Sequence, residues 1–345
     1  WADHSTGALP KILFLFNLFP IIFVWHDLFS REPERTLVLL RGLILGAGIA
    51  ATLGIAIFFS QFVFGVSETF HFMIDRVLPF FLGQELGALV ASYPSLLVNI
   101  DGQTVLRATA FFPDPHVAAL FFGMCGFLAL GLARAGHPST YWFIAALLFI
   151  ADILSFSRGG YIGLLAGATM YMAAIAPSFS SKRLLSSIGA VVIAVAIIGI
   201  FGQAVVSRFA TSFSLADTSS MERLVLWREA FRAISAHPLI GVGIGNYISS
   251  ARPLLETGTP FYAHNLYLDI AVEIGIIGLG CFLVVLLIAL GRSFRHRVGD
   301  PLAPALTAAL TLYLAHSIFE TALFSLLVTL VLIFIFTLSL STRSR

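Results

Sequence analysis

The sequence predicts an all-α, polytopic membrane helical bundle of about nine spans, with one partly helical loop on its outer side. Three observations predict it. Of 345 residues, 58% are hydrophobic and 11% charged, and the mean hydropathy is +0.95. A water-soluble domain of that composition would expose a sticky surface, so lipid is its solvent. Runs of the roughly 20 apolar residues that cross a hydrocarbon layer recur along the chain. The connections between those runs sort by charge with a single parity.

In chain order the spans fall at about 10–28, 37–64, 113–132, 140–156, 159–177, 184–204, 266–290, 302–318 and 321–341. One set of connections reads SREPER (30–35), ARAG (133–136), SKR (181–183), RSFRHR (292–297) and STRSR (341–345). These are short and rich in Arg and Lys, which assigns them to the cytoplasmic side. Alternation puts 65–112, 157–158, 205–265 and the turn near 319–321 outside. Three regions follow: N-terminal membrane helices over 1–204 with an outer loop at 65–112, an outer loop at 205–265, and C-terminal membrane helices over 266–345. The first span runs from outside to inside, so a chain starting in the cytoplasm needs an odd number of helices before Trp1. The absence of an initial Met suggests processing or truncation, and no signal peptide is visible. The net charge of +2 gives no argument for nucleic acid. Cys125 and Cys281 both lie in apolar runs and read as small core residues, without a disulfide framework.

Both long connections face outside, and long loops that are not low-complexity usually carry function. The second contains SSMERLVLWREAFRAISAHPLIGVGIGNY, 219–247. Ser219 with Glu222 three residues on is a capping-box pattern. Met221, Leu224, Val225, Phe231 and Ile234 recur at helical spacing, and His237-Pro238 stops the helix. A helix of about four turns therefore lies along the outer surface, with Arg223, Arg228 and Arg232 on its polar side. An interfacial amphipathic helix is the plain reading. Against it, outer loops have no topological reason to collect arginine, and this loop holds Arg208, Arg223, Arg228, Arg232 and Arg252. The GVGIGNY stretch is not a nucleotide fingerprint, because it follows no strand and has GxGxG spacing. It reads as a tight turn whose backbone approaches a ligand.

Two more outer segments stand out. RATAFFPDPHVAALFF (107–122) places Arg107 before a two-proline loop, and ADILSFSRGGYIGL (151–164) places Arg158 in the turn between two spans. Either arginine can simply snorkel to the interface. The stretch FYAHNLYLDIAVEIGIIGLG then starts a span with His264-Asn265. Asn265, Asp269 and Glu273 are four apart and share one helical stripe, with Glu273 roughly 12 Å below Asn265. A carboxylate at that depth needs a partner, water or a bundle-facing position. His264 at the mouth, with the outer arginines, looks like an anion site beside a titratable group.

These segments resemble the O-antigen ligase and polymerase superfamily, bacterial membrane enzymes that move glycans from an undecaprenyl-diphosphate carrier. RATAFFPDPH resembles its Arg-x-Thr-Gly-x-Phe…Pro-Asn segment, with Ala110 where Gly is usual and His116 where Asn is usual. SFSRGGYIGL resembles its Ser-Arg-Gly turn, and ERLVLWREAF…HPLIGVGIGNY its Arg-x-x-x-Trp helix with a Pro-x-x-Gly-x-Gly-x-Gly loop. AHNLYLDIAVEIGIIGLG resembles its His-Asn…Glu-x-Gly-x-x-Gly helix. The likeness covers about 105–291, in order and on one side of the membrane. It implies a fold of the GT-C type with about twelve helices, three of them before Trp1. It also implies a bacterial inner-membrane protein with its active site facing the periplasm. Carried over, the functional arginines fall on Arg158 and Arg223 and the histidine on His264.

The resemblance implies an O-antigen ligase that passes glycan from undecaprenyl diphosphate to lipid A-core, with inversion. Guanidinium forks suit a leaving diphosphate; imidazole suits the acceptor hydroxyl, as base or as phosphate ligand. Arg158, Arg223 and His264 are the expected catalytic residues. Arg107, Arg228, Arg232, Asn265 and Trp227 are expected to bind diphosphate or glycan, and Trp227 can also brace Arg223, one turn away. No acid cluster resembles a metal site, so neither cofactor nor metal is expected. The partners are the lipid-linked glycan donor, the lipid A-core or glycan acceptor and membrane lipid. An O-antigen polymerase and a protein O-glycosylating transferase are the alternatives within the superfamily. A transporter of lipid-linked sugars is the alternative of another class, but the halves show no internal repeat and the polar residues gather at one surface.

Overall fold

The computed structural model describes residues 5–91, 94–100, 102–176, 218–247 and 262–341. The expected span at 184–204, the SKR stretch at 181–183, Arg208 and Arg252 lie outside the described residues. The rest is a helical membrane protein. Helices α1 (Ser5–Arg31) and α2 (Pro33–Phe64) are separated by Glu32 alone, with Pro33 at the first position of α2, where its missing N–H costs nothing. The outer connection then folds as α3 (Val66–Phe72), a π-turn (Met73–Val77), α4 (Leu78–Leu82), α5 (Gln84–Ala91) and an antiparallel hairpin of β1 (Leu97–Ile100) with β2 (Gln103–Leu106). The bundle continues with α6 (Pro115–Arg134), α7 (Thr140–Leu154) and α8 (Arg158–Ile175). Next come α9 (Thr218–Ala236), α10 (Leu266–Arg295), α11 (Ala303–His316) and α12 (Leu326–Ser341).

Among the described residues, four helices are long and apolar enough to cross a membrane: Ala8–Arg31, Pro33–Phe64, Pro115–Arg134 and Leu266–Arg295. Thr140–Leu154 and Leu326–Ser341 are apolar but shorter. One boundary differs from expectation in a way that matters below. The spans expected at 302–318 and 321–341 give up their facing ends, and α11 stops at His316 while α12 begins only at Leu326. Between them, a turn with a short 3-10 segment at Ala322–Phe324 carries Glu320. In this turn the Glu320 carboxylate accepts from the Thr321 backbone N–H at 2.9 Å, and the Thr321 hydroxyl donates to Asp269.

Packing follows the small residues. Helix α8 lies most extensively against α11, and Gly159, Gly163 and Gly167, four apart, form the seam. A side chain at Gly167 would come within 3.0 Å of the Ala308 carbonyl. In an apolar solvent such close backbone approach is what drives helices together. The hairpin is tied to α2 by Gln61, whose amide accepts from Leu106 N–H at 2.7 Å and donates to Leu106 O at 3.0 Å, acting as a third strand.

Helix α10 is broken at Gly275, whose φ of 71° and ψ of −179° suit glycine alone. A break exposes backbone groups that are costly in apolar surroundings unless matched. The loop after α9 matches them. Ile276 N–H donates to Pro238 O at 2.9 Å, Val242 N–H to Val272 O at 2.8 Å, and Gly243 N–H to Glu273 O at 2.9 Å. The GVGIG glycines therefore let backbone approach a second helix, where the sequence suggests a ligand. A Cβ on Gly241 would stand 2.4 Å from Val272 O, and one on Gly275 2.1 Å from Leu239 O.

Gly275→Ala is expected to destabilise the protein by about 1–3 kcal/mol from backbone conformation alone, with the clash adding to it. Thermal unfolding in detergent measures this, and an unchanged midpoint would remove the kink from the account.

Candidate functional site

The turn that carries Arg158 is built around Arg107. Arg107 is buried, and its Nε donates to Ser155 O at 2.6 Å, its Nη2 to Phe156 O at 3.0 Å and its Nη1 to Ser95 O at 3.0 Å. Ala108 N–H also donates to Leu154 O at 3.0 Å. Phe156 adopts φ 52°, an unfavourable conformation for a bulky residue. It persists because its carbonyl is held. Arg107 is expected from sequence at the substrate; the structure puts its donors on backbone, so it shapes the turn. Ser157 then caps α8, its Oγ accepting from Gly160 N–H at 3.1 Å, and Arg158 is the first residue of that helix, with 5% of its surface exposed.

The Asn265–Asp269–Glu273 stripe has three separate tasks. Asn265 caps α10, its Oδ1 accepting from Tyr267 N–H at 3.0 Å and Leu268 N–H at 3.1 Å. The residue expected at the substrate thus gives its side-chain oxygen to the start of α10. Asp269 is a bracket: one carboxylate oxygen accepts from Ala263 N–H at 2.9 Å and the other from the Thr321 hydroxyl. Ala263 precedes His264 and Thr321 follows Glu320, so the bracket brings those two side chains together. His264 Nδ1 lies 3.2 Å and 3.3 Å from the two Glu320 oxygens. His264 itself adopts φ 48°, and Leu266 N–H donates to Ser317 O at 2.9 Å, which locks the two turns. Glu273, deepest in the stripe, pairs with Lys11 of α1. The Lys11 ammonium also sits 4.6 Å from the centre of the Tyr262 ring and 4.9 Å from that of Phe324. These residues border a cavity of about 70 Å³ that Asp269 and Thr321 also line.

Helix α9 presents one arginine inward. Arg223 is half-buried, while Arg228 and Arg232 are exposed and Arg232 pairs with Glu229 at 2.9 Å. Leu226 and Ala230 are buried on the inner face, whereas Leu224, Val225 and Phe231 of the expected apolar set are exposed. Trp227 docks the helix by donating its indole N–H to Ala263 O at 2.9 Å, next to His264. The Arg223 charge acts on His264, on His116 of α6 and on His316 of α11.

These groups form one electrostatic cluster. Burial opposes the charge of Glu320, yet the His264 imidazole beside it holds its carboxyl well below the usual carboxylate range. Burial also opposes protonation of His264, but the Glu320 charge outweighs it and raises the imidazole above its ordinary 6.5. Asp114, the cap of α6, is pushed up to about 6 by burial and then by Glu320, against the pull of the Val117 N–H and the Arg107 charge. His116 joins the two halves: its Nδ1 lies 2.7 Å from Ser157 Oγ, and the Glu320 charge acts on it. Sequence reasoning quoted His116 without giving it a role and passed over Glu320 and Lys11. A lone acid in the apolar stretch SIFETALF (317–324) is the signal that would have found Glu320, being the one used for Asp269 and Glu273. Among the described residues, no three His, Cys, Asp or Glu side chains are grouped to hold a metal ion.

This is a helical membrane protein whose buried charges gather at the helix starts of α6, α8 and α10. Residues 143–283 match the family model described as O-antigen ligase. The match supports a place for the chain in the O-antigen ligase and polymerase superfamily, and with it ligase- or polymerase-type activity in the broad sense. It spans Arg158, Arg223 and His264 and stops short of Glu320. No curated protein matches the chain.

Two outcomes follow from the ion pairs. Glu273→Leu leaves the Lys11 ammonium without its carboxylate in a setting where the pair is only 13% and 10% exposed. It should cost roughly 3 kcal/mol of stability, and Glu273→Gln clearly less. Equal unfolding midpoints for the two variants would contradict this. For His264 and Glu320 the signs oppose. The raised imidazole contributes fully below pH 6.5 and loses its contribution as pH rises through its folded pKa. The depressed carboxyl contributes fully above its ordinary 4.5 and loses it as pH falls. The destabilisation by Glu320→Gln should therefore be largest between pH 4.5 and 6.5 and shrink on the alkaline side. Its size is on the order of 1 kcal/mol, since the His264 side chain is 38% exposed and screened. Unfolding midpoints of both proteins across pH measure it; a constant difference up to pH 9 would mean the pair is not ionic.

Proposed function

We propose that this protein is an O-antigen ligase, which transfers glycan from undecaprenyl diphosphate to lipid A-core at the periplasmic face of the bacterial inner membrane. On this reading the chain contributes nine spans to a GT-C bundle of about twelve helices. The observation that carries the proposal is the His264–Glu320 pair, 3.2 Å apart, in the field of Arg223. The superfamily supplies the substrate class: a lipid-linked glycan donor and a hydroxyl acceptor.

The chemistry follows from the geometry. His264 turns Nδ1 to Glu320, which leaves Nε2 to take a proton from the acceptor hydroxyl. Glu320 stabilises the imidazolium that forms and fixes the ring, the role a buried carboxylate plays beside a catalytic histidine. The acceptor oxygen attacks the anomeric carbon from the face opposite the phosphate. The carbon–oxygen bond to the diphosphate breaks, its electron pair leaves on the phosphate oxygen, and the configuration inverts. Arg158 and Arg223 bind the diphosphate as its charge grows, in surroundings where such contacts are stronger than in water. Two arginines neutralise a diphosphate without a divalent ion, so transfer is metal-independent.

The test separates binding from chemistry, with EDTA present throughout. Arg158→Lys and Arg223→Lys keep charge but lose the planar fork. Each should weaken binding of undecaprenyl diphosphate without acceptor by about 10-fold or more and lower transfer by about 10²-fold. His264→Ala should bind the carrier nearly as well as wild type and transfer nothing. Unchanged carrier affinity in both arginine variants would sink the proposed site. Product analysis fixes the acceptor: glycan on lipid A-core supports the ligase, and lengthened carrier-linked glycan without lipid A-core identifies a polymerase.

A further inference from the structure

We infer that His116 is a positioning residue for Arg158: it acts through the Ser157 hydroxyl, as a neutral imidazole accepting at Nδ1. The inference rests on the reading of Arg158 as a diphosphate ligand.

The backbone that carries the ring is fixed, because the main-chain N–H of His116 donates to Asp114 Oδ1 at 2.7 Å in the cap of α6. Its Nδ1 meets Ser157 Oγ at 2.7 Å. That oxygen already accepts from Gly160 N–H at 3.1 Å, while Ser157 N–H donates to Ser155 Oγ at 3.2 Å. Having accepted from the backbone, the hydroxyl has its own proton to place, and Nδ1 is the acceptor in front of it. A nitrogen that accepts carries no proton, so the ring proton lies on Nε2. The bond holds the serine in the rotamer that caps α8, and Arg158 is the next residue. The turn needs such a hold, since Phe156 at φ 52° is strained, and the Arg107 bonds to Ser155 O and Phe156 O do not reach the Ser157 side chain. Charged and titratable groups face His116 from every side: Asp114 on its own helix start, Arg107 after β2, Arg223 on α9, His316 on α11 and Glu320 in the turn beyond it. Asp114 is the carboxylate that titrates near neutrality, and Glu320 stays ionised.

Binding of undecaprenyl diphosphate without acceptor tests this in the full chain, with thermal unfolding as the check on folding. His116→Ala should weaken binding about tenfold, the size of one hydrogen bond, with the unfolding midpoint little changed. His116→Asn puts an amide oxygen near the Nδ1 position and should recover affinity to within about threefold, with a pH dependence that overlays wild type. Ser157→Ala removes the same bond from the other side. The double variant with His116→Ala should bind no more weakly than either single one, because the two act as a unit. If His116→Ala does not fold, the Ser157→Ala and His116→Asn measurements decide alone. Asn as weak as Ala, additive losses, or a pH dependence that disappears in the Asn variant would each overturn the inference. Arg158→Lys separates the levels. If it binds normally, the reading of Arg158 fails; if it binds weakly while both His116→Ala and Ser157→Ala bind normally, only the role of His116 fails.

Discussion

Arg107 gives its guanidinium to the carbonyls of Ser155, Phe156 and Ser95, and much of this end of the bundle is arranged around that clamp. A tight turn between two apolar helices leaves carbonyls with no partner, and lipid offers none. One buried cation satisfies two of them and ties the turn to Ser95 O before the hairpin. It lets Phe156 adopt a left-handed conformation and aims the start of α8, with Arg158, at the cluster. An arginine that looks like a substrate ligand in the sequence is instead the residue that places another arginine.

The same economy appears at α10. The broken helix needs partners for Val272 O, Glu273 O and Ile276 N–H, and the loop after α9 supplies them. That loop therefore cannot move without unsealing the helix, and α9 is held at two places: by the loop at its C-terminus and by Trp227 on Ala263 O at its middle. Asp269 completes the frame by linking the residue before His264 to the residue after Glu320. Each tie joins segments far apart in sequence, and each consists of backbone or buried carboxylate groups that apolar surroundings force into pairs.

Charge balance explains why three histidines, two carboxyls and an arginine share this small region. Glu320 is buried and ionised, which is tolerable because His264 lies beside it and Arg223 is near enough for its charge to act on the pair. Asp114 responds to the same field in the opposite direction, held partly protonated by burial and by Glu320. The charge of Glu320 thus acts on Asp114 and on all three histidines.

Composition and loop charge made the membrane class legible, since lipid as a solvent demands apolar runs of a set length and orientation follows from short basic loops. The four longest apolar helices of the described residues overlap the runs at 10–28, 37–64, 113–132 and 266–290, and His264 and Arg158 stood out because they are polar residues at the edges of apolar helices. What each polar residue touches was not legible. The stripe of Asn265, Asp269 and Glu273 was visible as a period of four, yet one residue caps, one brackets and one forms an ion pair with Lys11, 262 positions away. Glu320 was hidden because the apolar stretch around it reads as helix, and only packing shows that the chain turns there. Periodicity reports which residues share a face. The partner on the opposite face comes from another segment, and that choice is made by close packing between helices, which no local pattern encodes.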